Sequence, residues 1–135
     1  MSSPLKIITI SLGGSLGSLA RVGLSGGIPE SLDAAPSLQI LLITLSINTL
    51  GALGLGLLRR PQSLVPPEWL RLGLSVGFLG AFTAWSAVVA AVWVVADTGH
   101  RLLATSYLVA TLVLGLLAAW WGLRSTPRGE SGAPA

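Results

Sequence analysis

The sequence has no cysteine, one histidine, one methionine, and only eight Lys/Arg with five Asp/Glu in 135 residues. Without cysteine there is no disulfide framework, no thiolate metal site and no cysteine nucleophile. A single histidine excludes a multi-histidine metal cluster. Charged residues make up 10% of the chain and hydrophobic ones 52%, whereas an ordinary soluble domain is about 25% charged. A small soluble domain has a large surface to cover with polar groups, and this composition cannot cover it. Lipid removes that requirement. The net charge of +3 is not a nucleic-acid signature, because the basic residues sit between apolar blocks and form no patch. Any catalysis would fall to hydroxyls and a few carboxylates, and His100, Asp97 and Tyr107 assemble no evident catalytic set. The chain reads as non-enzymatic.

Four apolar blocks run from Leu5 to Leu24, Leu38 to Leu58, Leu72 to Ala96 and Leu102 to Leu123. Each is long enough to cross a hydrocarbon core, which takes roughly 20 helical residues. Only Lys6 and Arg21, near the ends of the first, carry charge within them. The alternative for the first block is a secretory signal with Ser18-Leu19-Ala20 as its cleavage site. Because a backbone in lipid must satisfy its own hydrogen bonds, the expectation is an all-α membrane protein of four transmembrane helices. The transmembrane domain then spans residues 1–124, and the polar, Gly/Pro-containing tail 125–135 is expected to be disordered. The connections are short: Gly26-Gly27-Ile28-Pro29 opens a loop with Glu30 and Asp33, Arg59-Arg60-Pro61 and Pro66-Pro67-Glu68 flank the second, and Asp97-Thr98-Gly99-His100-Arg101 makes the third.

Small and polar residues recur inside the helices. Gly13 and Gly17 form a GxxxG pair and Ala52 with Gly56 repeats the spacing, which lets helix backbones approach closely in lipid. Helix packing explains most of the glycines. It explains the polar residues less well. Thr44, Asn48 and Gly51 fall on one face of the second helix, Tyr107, Thr111 and Gly115 on one face of the fourth, and Thr83 with Ser86 on the third. An amide in hydrocarbon is costly unless partnered or wet, so three aligned polar stripes point to a path.

These residues carry a resemblance. Gly13-Gly14-Ser15-Leu16-Gly17-Ser18-Leu19-Ala20-Arg21 resembles the GGxxGxxxR segment of the Fluc (CrcB) family of small fluoride channels. Thr44-Leu45-Ser46-Ile47-Asn48-Thr49-Leu50-Gly51 is similar to its TLxxNxxG, and Gly77-Phe78-Leu79-Gly80-Ala81-Phe82-Thr83-Ala84-Trp85-Ser86 to its GFxGGxTTFS. The resemblance implies an antiparallel dimer of four-helix subunits with two narrow fluoride pores, each lined by both subunits. It implies passive export: hydrogen fluoride enters as the neutral acid, dissociates in a more alkaline cytoplasm, and the anion leaves down the membrane potential. Donor side chains and the positive edges of aromatic rings would replace the anion's hydration shell.

Carried over by position, Asn48 matches the pore asparagine and Thr44 the polar residue one turn before it. Ser86 matches the serine of the third-helix motif, and Tyr107 with Thr111 the polar track of the fourth. Gly80 and Thr83 match a helix break near the middle of the third helix, whose backbone carbonyls hold a structural sodium ion at the dimer interface. Arg21 matches the arginine closing the first helix; as an isolated residue it reads equally as an interfacial side chain snorkelling to the headgroups.

Trp85 and Val88 stand where the family's two phenylalanines face fluoride, and Ala84 and Ala87 where hydroxyl residues are usual. Trp keeps an aromatic edge and adds an N–H donor; Val has no edge. At least one pore is therefore expected to be impaired, and homodimer and heterodimer with a similar subunit both remain open. So does a non-conducting partner or scaffold subunit. A small multidrug transporter would need a carboxylate within the membrane, and all five Asp/Glu lie outside the four blocks. With four spans, Lys6, Arg59, Arg60, Arg71, Arg124 and Arg128 share one side and only Arg21 and Arg101 the other. The positive-inside rule then places both termini in the cytoplasm, with the protein in the cell membrane among lipid.

Overall fold

A computed structural model of the chain describes residues 3–26, 37–59 and 66–124. Those residues are helical apart from short turns and extended joints. The elements are α1 (Ser3–Leu24), α2 (Leu38–Arg59), α3 (Glu68–Leu72), a π-helical segment (Gly73–Leu79), α4 (Gly80–Phe82), α5 (Trp85–Asp97) and α6 (Arg101–Arg124). Together α3 to α5 make a third span, Glu68–Asp97, so four helices are long and apolar enough to cross a membrane. The chain is a multi-pass membrane protein. Its third span starts at Glu68, four residues before the uncharged block begins, because Pro67 precedes the helix (φ −55°) and the Leu70 and Arg71 N–H groups both reach the Pro67 carbonyl. The expected tail at 125–135, the acidic loop residues Glu30 and Asp33, and the basic Arg60 and Arg128 lie outside the described residues.

The turn between α5 and α6 closes by Schellman geometry. The His100 N–H reaches the Val95 carbonyl at 3.2 Å and the Gly99 N–H the Ala96 carbonyl at 3.1 Å. Gly99 sits at φ 88°, the left-handed region that this cap requires and that only glycine adopts cheaply. The next helix therefore starts at once, and α6 returns antiparallel to α5 and parallel to α2.

Two kinds of packing hold the spans. One is backbone against backbone. A Cβ on Gly13 would fall on the Gly73 carbonyl oxygen, one on Gly17 on the Phe78 carbonyl, and one on Gly77 on the Ile10 carbonyl. The GxxxG pair of α1 thus meets a second small pair, Gly73 and Gly77, on the π-helical segment. Gly56 of α2 is similarly pressed on Ala119 of α6, and Gly122 on Leu53 and Leu57. Lipid offers no hydrophobic drive between helices, so close van der Waals approach of this kind is what binds them. The other kind is a side-chain core in which Leu41, Val88, Val95, Ala104 and Tyr107 of α2, α5 and α6 bury one another.

One end of the bundle carries the Lys6–Glu68 ion pair (Nζ to Oε1 2.8 Å) and the Arg124 guanidinium 4.1 Å from the Trp120 ring centre. The ion pair joins α1 to α3 but is half exposed, so its contribution to stability is small. Glycine contact should matter far more. Gly17→Val is expected to destabilise the folded chain in detergent by about 1–3 kcal/mol, because the Phe78 backbone cannot move aside. Gly23→Ala, where nothing lies within 4 Å of the added carbon, should be neutral or slightly stabilising. Thermal unfolding of the two variants checks this, and equal midpoints would remove the backbone contact as the cause.

Candidate functional site

The third span does not run through as one helix. After the π-helical segment and a single turn of α4, Thr83 turns extended (φ −75°, ψ 144°) and Ala84 follows at φ −135°, ψ 86° before α5 begins. In an unbroken helix the Ala84 N–H would donate to the Gly80 carbonyl. Instead it donates to the side-chain oxygen of Asn48 on α2, at 2.9 Å. Only the amide oxygen can accept an N–H, so this bond fixes which way the Asn48 amide faces. The preceding turn is secured by Thr83, whose N–H and hydroxyl both reach the Leu79 carbonyl at 3.0 Å.

Gly51 lies three residues beyond Asn48, and a Cβ there would collide with the Thr83 methyl. Asn48 and Gly51 therefore grip the break together: one supplies a replacement acceptor, the other a seat without a side chain. The sequence showed their shared face but not this role. What could have pointed to it is the spacing itself, an amide one turn from a glycine, with a stretch of spaced glycines leading to Thr83 on another span.

The break opens onto a cleft of about 440 Å³ between α2, the third span and α6. Asn48, Gly51, Gly80, Thr83, Trp85, Thr111 and Gly115 line it, along with Ser75, which sequence reasoning passed over. The Ser75 hydroxyl is turned back to the Arg71 carbonyl at 2.7 Å. Each of the three polar stripes thus sends at least one residue to the same cleft. Behind the cleft, Tyr107 is 8% exposed, and its hydroxyl sits among those of Thr111 and Thr44. None of them stands in a geometry that makes it a hydrogen-bond partner. Thr111 donates to the Tyr107 carbonyl at 2.8 Å, which leaves its lone pairs free. Two buried polar atoms consequently lack partners among the described residues, the Tyr107 hydroxyl and the Asn48 Nδ2. Buried donors are almost always satisfied, and these two lie on adjoining helices, α2 and α6.

The remaining candidates separate. Trp85, 55% exposed, stands at the cleft, whereas Val88 is 0% exposed and enclosed beside Tyr107 in the side-chain core. Ser86 is exposed and outside the cleft lining. Arg21 lies half-buried near the end of α1, its carbonyl receiving the Ser25 N–H and hydroxyl at 2.9 and 2.8 Å, and does not line the cleft. Gly80 is exposed, and a Cβ there would meet nothing nearer than the Ser75 carbonyl oxygen at 3.9 Å.

The sequence profile described as CrcB-like protein, Camphor Resistance (CrcB), matches residues 8–123, a stretch that takes in all four spans. The chain belongs to the CrcB family. Among its relatives is a protein named fluoride-specific ion channel FluC from Nitratidesulfovibrio vulgaris, 38% identical over 122 residues that cover 87% of this chain and 94% of the relative. A FluC 2 of Symbiobacterium thermophilum is 36% identical over 118 residues, covering 85% and 92%. The FluC of Azotobacter vinelandii is 36% identical over 122 residues, covering 86% and 92%. Of the described helices, the matched stretch leaves out only the first residues of α1 and the last of α6.

The grip on the break can be tested in this CrcB-family chain without reference to transport. Gly51→Ala should cost about 1–3 kcal/mol of stability by overpacking against Thr83. Thr83→Ser, which removes the methyl that would be struck, should recover most of that loss in the double variant. Thermal unfolding of the two single variants and the pair measures the coupling; strictly additive effects would place Gly51 and Thr83 out of contact.

Proposed function

We propose that this chain is a subunit of a fluoride-selective channel that lets the anion leave the cytoplasm passively. The observation that carries the reading is the Asn48 amide: its oxygen is committed to the Ala84 N–H, so its unpartnered NH₂ can only donate. Thr44, Thr111 and Tyr107 add hydroxyls beside it. Among the described residues no carboxylate lines the cleft, so donors there meet no competing internal anion. A small, strongly hydrated anion needs such donors to replace its water, and Trp85 offers a ring edge and an indole N–H at the cleft.

The cleft is open on one side, and the exposed Gly80 leaves room for another backbone to approach. A second four-helix subunit, packed antiparallel, would close it and complete the conduction path. At the same surface, the carbonyl of Gly80 has lost its usual donor and that of Thr83 is turned out of the helix. Neutral carbonyl oxygens suit a small hard cation, and freed carbonyls at membrane depth are tolerated only when buried or ligated. Gly80 and Thr83 are thus the residues that would hold a structural sodium ion, which when bound would neutralise the facing dipoles between subunits.

Val88 favours a second reading. Buried and without a ring, it gives an anion no edge to approach, so both symmetry-related pores of a homodimer would lack a ligand there. A partner subunit that carries an aromatic pair would complement it, and this chain alone would then conduct poorly. The basic residues agree with a fixed orientation: Lys6, Arg59, Arg71 and Arg124 lie towards one end of the described bundle, Arg21 and Arg101 towards the other. Both termini would face the cytoplasm of the cell membrane.

Fluoride efflux from proteoliposomes tests the pore. Asn48→Asp should lower it by roughly tenfold or more, the equivalent of losing a charge-assisted hydrogen bond worth about 1.5–3 kcal/mol. Undiminished efflux would take Asn48 out of the path. Efflux only when a second subunit is supplied would select the partner reading over the homodimer. For orientation, reporters active on opposite sides of the membrane, fused to the C-terminus, should show the cytoplasmic signal alone. Comparable signals from both would establish dual topology.

A further inference from the structure

The two halves of the Asn48 amide do different things. Its oxygen takes the Ala84 N–H at 2.9 Å, and its NH₂ is buried without a partner beside the cleft. The bond to Ala84 also has a consequence for the third span itself. An N–H held by Asn48 cannot return to the Gly80 carbonyl four residues earlier. Gly80 is exposed, with no atom nearer than 3.9 Å to the position of an added Cβ. Thr83, at ψ 144°, turns its own carbonyl away from the helix axis. One side-chain oxygen therefore decides whether this surface offers a pair of uncommitted carbonyls or a closed helix.

We infer that Asn48 is a positioning residue for a small hard cation at the Gly80 and Thr83 carbonyls, as well as an anion donor, and that the Asn48–Ala84 hydrogen bond couples the two sites. This rests on the channel and cation readings given above and adds the residue that links them. With Asn48 removed, the Ala84 N–H returns to Gly80, the helix closes and the cation loses a ligand. With aspartate at this position an acceptor for Ala84 remains, so the break persists, but the donor to the anion is gone. The two functions are separable by a single atom exchange.

The test uses the purified full-length assembly, with two readouts: the thermal unfolding midpoint as sodium replaces N-methylglucamine at constant ionic strength, and fluoride efflux after reconstitution. The wild-type midpoint should rise with sodium. Asn48→Asp should keep the sodium concentration for half-maximal effect within about twofold of wild type while losing efflux; Asn48→Ala should lose efflux and need at least about tenfold more sodium. A wild-type chain that transports fluoride but shows no sodium response sinks the cation reading and this inference with it. A normal sodium response in Asn48→Ala overturns the inference alone and leaves the cation reading standing. Should Asn48→Ala fail to fold, a semisynthetic chain with lactic acid in place of Ala84 replaces the N–H by an ester oxygen, which also makes the Thr83 carbonyl a somewhat weaker ligand. It should retain the sodium response, since no donor can return to Gly80, and lose efflux because the amide has lost its anchor. Undiminished efflux from that ester chain would equally overturn the coupling.

Discussion

A backbone that leaves helical geometry within a bilayer releases N–H and C=O groups where there is no water to receive them. The interruption at Thr83 and Ala84 is where this chain meets that constraint, and much of the surrounding structure follows from how the released groups are handled. The Ala84 N–H is received by a side chain from another helix. That requires α2 to lie close enough for an amide to reach, and the missing side chain at Gly51 permits it. Asn48 is committed by its oxygen, which leaves its NH₂ as a buried donor in a cleft without a carboxylate among its lining residues. Structural repair of the helix and the polarity of the cleft are one arrangement seen from two sides.

The position of the break is set by two unlike packing modes. Before it, the third span is held by α1 through glycine-to-backbone contacts, in which Gly13 and Gly17 meet Gly73, Gly77 and Phe78. After it, α5 is held by α2 and α6 through the branched and aromatic core of Val88, Val95, Leu41 and Tyr107. Backbone contact brings helix axes close, whereas a side-chain core holds them apart by the width of its residues. A straight helix would have to satisfy both spacings along one axis. The π-helical segment and the extended pair at Thr83–Ala84 let the span change course between them, and the cleft lies where the course changes.

Much of the fold was legible in the sequence because lipid leaves little choice. Uncharged apolar runs of about 20 residues must be helices, and the four blocks recur as α1, α2, the third span and α6 within a few residues at each end. The polar stripes were legible for the same reason: helical period alone puts Thr44, Asn48 and Gly51 on one face, and Tyr107, Thr111 and Gly115 on another. Periodicity on a single helix cannot say which face of a neighbour it meets. Hence it could not reveal that Ser86 would point away from the cleft, that Arg21 would stand apart from it, or that Ser75 would join it.

Residue type and spacing by themselves determined four spans, close glycine contacts and an amide in the hydrocarbon, since each depends only on local composition and the cost of bare polar groups in lipid. Tertiary structure alone decided which atom of that amide is spent and which is left to act. The Asn48 oxygen is bound because Ala84, 36 residues along the chain, arrives beside it with an N–H that its own helix has given up. It likewise decided that Val88 is walled in beside Tyr107 while Trp85, three residues earlier and just past the break, is exposed at the cleft. Neighbouring residues on one helix turn to different surroundings according to which helices pack against it, and those are chosen by contacts far away in sequence.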